Sequence, residues 1–328
     1  MNVIKYKNIF LTIGGLILVA AIALVSIFGL SFGIDFTGGS ILEVSFSGER
    51  PSITATEAAL NRSGIEGTSV RPTGEDGYII RSPFLEEGRR TQVLEELGSL
   101  NSAATSSSAT STESVATTSA TTSQGVTTIG SVTEERFASI GPTVGSELTR
   151  SAIYGIIAVI LGIILFVSFA FRKVSEPISS WMYGSVAIVA LIHDILVPTA
   201  VFAVLGVTIG AQVDLLFVTA LLAILGFSVN DTIVVFDRIR ENLHESYERA
   251  DGESFADTVG KSVTQTYARS INTSLTTLIV LLCLYLIGGQ STELFSLTLL
   301  VGVIVGTYSS IFIASPLLVQ IRQWQKEG

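Results

Sequence analysis

Charged residues are scarce in this sequence. Of its 328 residues, 14% are Asp, Glu, Lys or Arg, whereas an ordinary soluble domain has roughly a quarter. Hydrophobic residues make up 48% of the chain, and the mean hydropathy is +0.59. A chain this poor in charge and rich in apolar side chains has the composition of a membrane protein.

Cysteine and catalytic motifs are nearly absent as well. The single Cys283 lies in an apolar stretch, which excludes a disulfide within one chain and a metal site built from cysteines. There is no glycine-rich phosphate loop and no spaced pair of nucleophile and base, so the sequence predicts no enzyme activity, no metal and no organic cofactor. The net charge of −9 argues against nucleic acid as a partner.

Long apolar runs are what the chain has instead. A helix of about 20 residues crosses the roughly 30 Å hydrocarbon core of a bilayer. Six runs reach this length, at residues 9–30, 152–171, 182–205, 215–236, 271–288 and 294–318. A cleaved signal peptide is the alternative for the first run, which continues to Leu30 and so exceeds a typical signal-peptide core. The sequence predicts six transmembrane helices.

Basic residues mark one side of these runs. They precede the first run, follow the second, lie between the fourth and fifth, and follow the sixth. These positions are Lys5, Lys7, Arg172, Lys173, five residues within 237–269, Arg322 and Lys326. The short segments 206–214 and 289–293 contain none. The pattern predicts a multi-pass membrane protein with both termini in the cytoplasm and residues 33–150 outside.

The segment 33–150 has the features of a small outer domain. It contains fifteen Asp or Glu, eight Arg and no Lys. Leu42, Val44 and Phe46 alternate with polar residues as in a half-buried strand, and later patterns complete the order β-α-β-β-α-β. This order predicts a ferredoxin-like α+β domain. A Ser/Thr-rich tract at residues 102–128 interrupts it, and its composition predicts a disordered loop.

The predicted chain therefore has three parts. Residues 1–32 comprise the N-terminus and the first span, residues 33–150 the outer domain, and residues 151–328 a five-helix membrane domain. Apolar stripes within residues 237–268 predict amphipathic helices on the cytoplasmic surface. Glycines at both ends of the outer domain are candidate hinges, with plain turn formation as the alternative. They are Gly33, Gly38, Gly39, Gly141 and Gly145.

An ionisable residue interrupts the fourth run. Asp231 follows Asn230 in an otherwise apolar stretch, and a carboxylate in hydrocarbon costs at least a few kcal/mol. Such residues usually face the interior of a helix bundle and mark the path of an ion or proton. Because the fourth and fifth runs cross in opposite directions, Thr273 is expected at the depth of Asp231, with Arg269 about one turn away.

Arg269 is the candidate counter-charge of this carboxylate. Pairing with a guanidinium favours the ionised form of Asp231, whereas separation leaves desolvation to favour uptake of a proton. The sequence thus predicts a proton relay formed by Asp231 and Arg269. A permanent structural ion pair of Asp231 with Arg269 or Arg238 is the alternative, and Asp237 is a competing partner for Arg269.

A second polar pair lies near the middle of the third run. His193 and Asp194 are followed by Pro198, which removes a backbone donor and frees a carbonyl one turn earlier. A buried pair held by neighbouring helices is the structural alternative to a functional site. The residues considered as further relay or supporting groups are His193, Asp194, Asn230, Asp237 and Thr273.

Five motifs occur in order across nearly the whole chain. They are GIDFTGGS from Gly33, IGPTVGSEL from Ile140, ALIHDILVP from Ala190, GFSVNDTIVVFDRIREN from Gly226 and RSINTSLTTL from Arg269, with YLIGG following. Together they resemble the SecF family of bacterial protein-export subunits, which belongs to the resistance-nodulation-division superfamily.

The resemblance implies a specific function. It implies a six-helix half of a twelve-helix assembly completed by SecD, which works at the Sec translocon channel and uses the proton gradient to help draw out translocating preproteins. Protons would be the coupling ion, and Asp231 and Arg269 match the family positions tied to proton coupling. A proton-coupled small-molecule exporter of the same superfamily and a membrane-anchored scaffold or binding module are the alternatives.

Overall fold

The computed structural model describes residues 3–48, 50–65, 67–106, 121–123, 126–129, 132–170, 180–249 and 252–327. The chain divides into two compact units. Met1–Ser31 and Ala152–Gly328 form one, named here the membrane unit, and Phe32–Ser151 form the other, named the outer unit.

The elements follow the chain in a simple order, after a 3-10 turn at Ile4–Tyr6. They are α1 (Lys7–Phe28), α2 (Ile34–Thr37), β1 (Gly39–Phe46), α3 (Ile53–Arg62), β2 (Ser69–Thr73), β3 (Gly77–Ser82), α4 (Glu87–Ser106), β4 (Thr121–Ser123), β5 (Val126–Ile129), β6 (Val132–Ile140), α5 (Pro142–Ala170), α6 (Ser180–Thr208), α7 (Leu215–Arg249), α8 (Phe255–Ile287), α9 (Gln290–Ser309), a π-helical segment (Ser310–Ala314) and α10 (Ser315–Glu327).

The outer unit is an antiparallel sheet that packs against two helices. Its strand order is β2-β3-β1-β6-β5-β4, and the four strands β2, β3, β1 and β6 with α3 and α4 have the predicted ferredoxin-like arrangement. Leu42, Val44 and Phe46, predicted to point inward, are buried together with Leu60 of α3 and Leu97 of α4. The predicted small α+β domain is confirmed.

The Ser/Thr-rich tract contains more regular structure than predicted. Residues 102–106 belong to the end of α4, and β4 and β5 form a hairpin that extends the sheet beyond β6. The disordered loop predicted over residues 102–128 is therefore wrong for these parts, because backbone pairing with β6 is available to a threonine-rich segment. The remainder, residues 107–120 and 124–125, lies outside the described residues.

Among the described residues, six helices are long and apolar enough to cross a bilayer, which confirms the predicted six spans. The fourth and fifth are longer than predicted. α7 runs without a break through residue 249, and α8 begins at Phe255. The helices predicted at residues 237–268 are present, but they are continuous extensions of the fourth and fifth spans and not separate elements.

These helices are long because the apolar stripe at the C-terminal end of α7 packs against the apolar stripe at the N-terminal end of α8. Ile239 and Leu243 of α7 share one buried cluster with Val259 and Val263 of α8. Asn242 Nδ2 adds hydrogen bonds to Ser262 Oγ at 2.7 Å and Gln265 Oε1 at 2.8 Å. The stripes thus extend the bundle core and do not lie along a lipid surface.

The sixth span is interrupted by the π-helical segment. The helix is α-helical through Ser309, widens over Ser310–Ala314, and continues as α10. A single π turn within an α-helix is rare and often occurs at a functional site. This segment is buried in the middle of the unit.

Candidate functional site

Asp231 lies inside the helix bundle and is 7% exposed. One of its carboxylate oxygens accepts a hydrogen bond from Ser270 Oγ of α8 at 2.6 Å, and the other accepts one from Ser310 Oγ of the π-helical segment. Both serines are buried. A carboxylate on α7 is thus held by hydroxyls from two other parts of the bundle.

A short row of hydroxyls continues from this carboxylate. Ser274, one turn after Ser270, donates to the Ser270 carbonyl at 2.9 Å, and its hydroxyl lies 2.5 Å from Thr307 Oγ1. Ser310 in turn lies 3.2 Å from the Thr307 carbonyl. Asp231, Ser270, Ser274, Thr307 and Ser310 are named here the Asp231 cluster.

Asp194 forms a second buried cluster on α6. Its Oδ2 atom accepts hydrogen bonds from Ser309 Oγ at 2.6 Å and from Ser228 Oγ, and its Oδ1 atom lies 3.1 Å from His193 Nδ1. Asp194 is 0% exposed and His193 is 2% exposed. These residues, Asp194, His193, Ser228 and Ser309, are named here the Asp194 cluster.

The two clusters are connected through adjacent residues of two elements. Ser309 and Ser310 are consecutive in the chain, and consecutive side chains of an α-helix point about 100° apart. Ser228 and Asp231 are three residues apart on α7, which places them on one face. The end of α9 and the start of the π-helical segment therefore join two carboxylates that belong to different helices.

Glycines allow α9 to approach α7 this closely. A Cβ atom at Gly302 would collide with Ile224, and one at Gly306 would lie 3.2 Å from Ser228 Cβ. This small-xxx-small pair packs within the chain, one turn before the serines.

His193 has one satisfied and one unsatisfied ring nitrogen. While Nδ1 faces Asp194, the buried Nε2 atom has no hydrogen-bond partner among the described residues. Pro198 lies within α6, so its missing N–H leaves the carbonyl of Asp194 without the usual helical donor. The polar pair predicted from the sequence is thus buried, and the backbone beside it is under-bonded.

Arg269 is not beside Asp231 in this conformation. It precedes Ser270 on α8, and its side chain is on the exposed face of the helix. Within the described ranges, Asp231 has no ion pair with Arg269 or with Arg238, whose guanidinium bonds Gln265 and Glu241. Neither of the predicted ion pairs of Asp231, with Arg269 or with Arg238, is therefore formed in this conformation. The relay role of Asp231 and Arg269 stays a prediction.

The other candidate relay residues lie apart from the clusters. Asn230 is on the exposed face of α7, and Thr273 is on the exposed face of α8. Asp237 is exposed and pairs with Arg240 at 2.7 Å, so it does not compete for Arg269 here. None of these three residues contacts either cluster through a hydrogen bond between described residues.

The candidate hinge glycines differ in whether the backbone angle or the close packing at each position requires a glycine. Gly38 and Gly39 have positive φ angles of +71° and +126°, and a Cβ at Gly38 would lie 2.9 Å from Pro142 Cα. A Cβ at Gly145 would lie 2.8 Å from the Gly38 nitrogen. Gly33 and Gly141 have ordinary backbone angles and no comparable contact. The close packing explains three of the five glycines, and the hinge role stays a prediction.

The serines that bond Asp231 and Asp194 were not predicted from the sequence. Serine is common in apolar helices, where its hydroxyl usually bonds the preceding turn of its own helix. The visible indications were Ser228 one turn before Asp231 and the Ser309–Ser310 pair in an apolar run. Their partners could not be assigned, because they lie on other helices.

The chemistry available to this site is proton binding and transfer. Both carboxylates are removed from water, and neither has a lysine or arginine partner among the described residues. A hydroxyl can donate and accept a hydrogen bond at once, so each serine is able to rearrange its bonds when a neighbouring carboxylate changes its protonation.

Comparison with known proteins extends these observations. The family model for the C-terminal part of SecD/SecF protein-export membrane proteins matches residues 118–324, and the model for the SecD/SecF GG motif matches residues 23–49. The second match includes Gly38 and Gly39, which have positive φ angles where α2 ends and β1 begins.

Several individual proteins are similar over the whole chain. The protein translocase subunit SecF of Anaerolinea thermophila is 37% identical, with 100% of this chain and 98% of the relative covered. SecF of Thermobaculum terrenum is 39% identical over 97% and 93%, and SecF of Escherichia coli O157:H7 is 33% identical over 94% and 84%.

A solved structure has the same fold. The crystal structure of SecDF, a translocon-associated membrane protein from Thermus thermophilus, is 28% identical and superposes with a TM-score of 0.73. The match covers 98% of this chain and 39% of the SecDF chain. This chain thus corresponds to less than half of that larger protein.

Proposed function

This chain belongs to the SecD/SecF family of protein-export membrane proteins, and we propose that it uses the proton motive force to promote the translocation and release of preproteins. It is an auxiliary subunit of the Sec protein translocase, a multi-pass protein of the plasma membrane, and a partner of SecD. The proposed further partners are the Sec translocon channel and the preproteins that emerge from it.

The proposed orientation has both termini in the cytoplasm. It is supported by the basic residues at the ends of the spans, among them Lys5, Lys7 and Arg249. In this orientation the outer unit is on the side where preproteins emerge. Protons would flow from the outer side, through the membrane unit, to the side of the termini.

The observation that carries the proposal is the bonding of Asp231. Its two oxygens accept hydrogen bonds from Ser270 and Ser310, and no cation faces it among the described residues. A hydroxyl can donate to an ionised carboxylate and accept from a protonated one, so this bonding accommodates the gain or loss of a proton. We propose that Asp231, separated from Arg269 in this conformation, is the group that takes up and releases the proton.

The second conformation would pair the ionised carboxylate with Arg269. An arginine at this level is costly to expose to hydrocarbon, because it stays charged. Gly260 of α8 lies close to Ile4, in the 3-10 turn at the N-terminus of the chain. Arg269 is nine residues further along α8, which corresponds to about 13 Å of helix. We propose that Arg269 faces water or SecD here and moves to Asp231 when the proton leaves.

The membrane potential supplies enough energy for such a switch. Moving one elementary charge through 100 mV corresponds to about 2.3 kcal/mol. The equilibrium constant between two conformations then changes by roughly fiftyfold for each charge moved, since each 1.4 kcal/mol is a factor of about ten.

A candidate surface for SecD is the exposed face of α7. This face carries small and polar residues at helical spacing, which in a membrane permit another helix to pack closely. They are Thr219, Ala223, Gly226 and Asn230. Asn230 is adjacent to Asp231, so a partner helix seated here would lie beside the proposed switch.

The test compares two aspartates on the same helix. Asp231→Asn keeps the shape of the side chain but cannot release a proton, whereas Asp237→Asn removes an exposed carboxylate six residues away. In inverted membrane vesicles with SecD present, we expect Asp231→Asn to abolish the proton-driven stage of preprotein export and Asp237→Asn to leave it unchanged. Full proton-driven export by an assembled Asp231→Asn complex would refute the relay role.

The scaffold alternative makes the opposite prediction. If the polar residues of the spans only stabilise the bundle, Asp231→Asn combined with Arg269→Gln should be tolerated, because both charges are removed together. Loss of export with normal assembly in this double variant would support proton coupling.

A further inference from the structure

A cleft of about 450 Å³ opens between α1, α6 and α10. Its wall is mostly apolar, but polar side chains from all three helices also line it. They are Asn8, Thr12, His193, Gln320 and Trp324. A groove that only accommodated lipid chains would not need this polar lining.

The polar residues form two rows that lead inward. Asn8 and Thr12 are four residues apart on α1, and Gln320 and Trp324 are four residues apart on α10, so each pair lies on one helical face. Both rows begin at the end of the membrane unit where the termini lie. His193 lies on α6 about 20 Å from the start of that helix, which is near the middle of the span.

His193 is the group that the cleft reaches. Its Nε2 atom is buried and has no hydrogen-bond partner among the described residues. An unpaired buried polar atom costs about 1–3 kcal/mol, which a bound water removes. The cleft is far larger than the roughly 30 Å³ that one water occupies in the liquid.

Few ionisable groups surround this imidazole. Asp194 on the same helix lies at Nδ1, and the ring of Tyr308 on α9 is 6.5 Å away between centroids. The residues that α1 and α10 contribute to the cleft wall are all uncharged. Among the described residues that line the cleft, His193 is thus the one with an ionisable side chain.

We propose that the cleft holds water and is the route by which protons leave Asp194 for the side of the membrane where the termini lie, with His193 Nε2 as the point of exchange. Protonated Asp194 gives its proton to His193 Nδ1, and Nε2–H releases a proton to a water in the cleft. One proton is accepted and one released, so the ring ends neutral. The inference rests on the proposed proton coupling and adds a path to it.

A first experiment asks whether water fills the cleft. With Cys283→Ser as background, Thr12→Cys places a thiol in the cleft, and Ile13→Cys places one on the adjacent, exposed position outside it. A charged, water-soluble thiol reagent is added to the terminus side of vesicles that contain the complex with SecD. Because the thiolate is the reacting form and needs water, we expect Thr12→Cys to react at least about tenfold faster.

Equal and slow reaction of the two cysteines would overturn the proposal, since a lipid chain or a closed wall would then occupy the cleft. The comparison does not depend on proton transport. It therefore tests the cleft even if the proposed function were to fail.

A second experiment measures proton flux into vesicles during preprotein export. Gly15 lines the cleft, and a Cβ there would meet no atom within 4 Å, so Gly15→Leu narrows the cleft without a packing conflict. Gly162→Leu on α5 is the matched control, because its added Cβ also meets no atom within 4 Å. We expect about a tenfold loss of flux for Gly15→Leu and for His193→Gln, and none for Gly162→Leu.

The outcomes separate this inference from the function on which it rests. If Asp231→Asn stops proton flux while Gly15→Leu and His193→Gln retain it in full, the cleft route is wrong and proton coupling stands. If Asp231→Asn itself retains full flux, proton coupling fails.

Discussion

Ser309 and Ser310 are consecutive residues, yet their hydroxyls bond carboxylates on two different helices. Ser309 donates to Asp194 of α6, and Ser310 donates to Asp231 of α7. A change of bonding at either serine involves the same π-helical turn. The two carboxylates are thereby hydrogen-bonded to adjacent residues of one chain segment.

Removal of the Ser310 hydroxyl should weaken proton-driven export. Ser310→Ala leaves Asp231 with Ser270 as its remaining hydroxyl donor among the described residues, and an intramolecular hydrogen bond contributes about 0.5–1.5 kcal/mol. We expect the rate of the proton-driven stage to fall about tenfold, while export without an imposed proton gradient is unchanged. The measurement is export into vesicles with and without an imposed proton gradient.

Ser296→Ala is the matched control for that prediction. Ser296 is also buried on α9, but its hydroxyl bonds the carbonyls of Thr292 and Glu293 in its own helix. Similar losses in both variants would indicate a general packing defect and contradict the specific role of Ser310.

Two of the candidate hinge glycines should respond differently to alanine. Gly38→Ala forces a left-handed backbone onto a residue with a Cβ, at about 1–2 kcal/mol, and brings that Cβ against Pro142. Gly141→Ala introduces neither conflict. We expect a lower melting temperature and faster proteolysis of the outer unit for Gly38→Ala alone, measured on the full chain in membranes. Equal damage at Gly141 would point to a need for flexibility at that position.

A bulky side chain on the exposed face of α7 should impair association with SecD. Gly226 is exposed, and an added Cβ would meet no described atom of this chain within 4 Å, so we expect the subunit to fold with Gly226→Leu. In the complex, however, leucine would hold a neighbouring helix away. We expect at least a severalfold lower yield of SecD in co-purification.

Gly155→Leu on α5 provides the comparison, because a Cβ there also meets no atom of the chain within 4 Å. Normal recovery of SecD with Gly226→Leu would exclude this face of α7 as the contact. Loss with both variants would show that the effect is not specific to that face.

Sequence patterns predict the structure best where a single element determines the outcome. The six spans follow from run length and hydropathy, and the inward face of β1 follows from the alternation of Leu42, Val44 and Phe46. Sequence patterns predict least where two elements meet. The stripes of α7 and α8 looked like surface helices because their mutual contact, Ile239 with Val263 in one cluster, cannot be derived from either stripe alone.

The sequence by itself determined that a carboxylate, Asp231, is buried in an apolar helix, and that Asp194 lies in another. Only the tertiary structure decided what those carboxylates touch. The neighbours of a helical residue depend on which helices pack together and on how each helix is rotated about its own axis. The π-helical turn after Ser309 changes that rotation locally. Hence Arg269, the expected partner of Asp231, lies on the exposed face of α8, while the adjacent Ser270 faces the carboxylate.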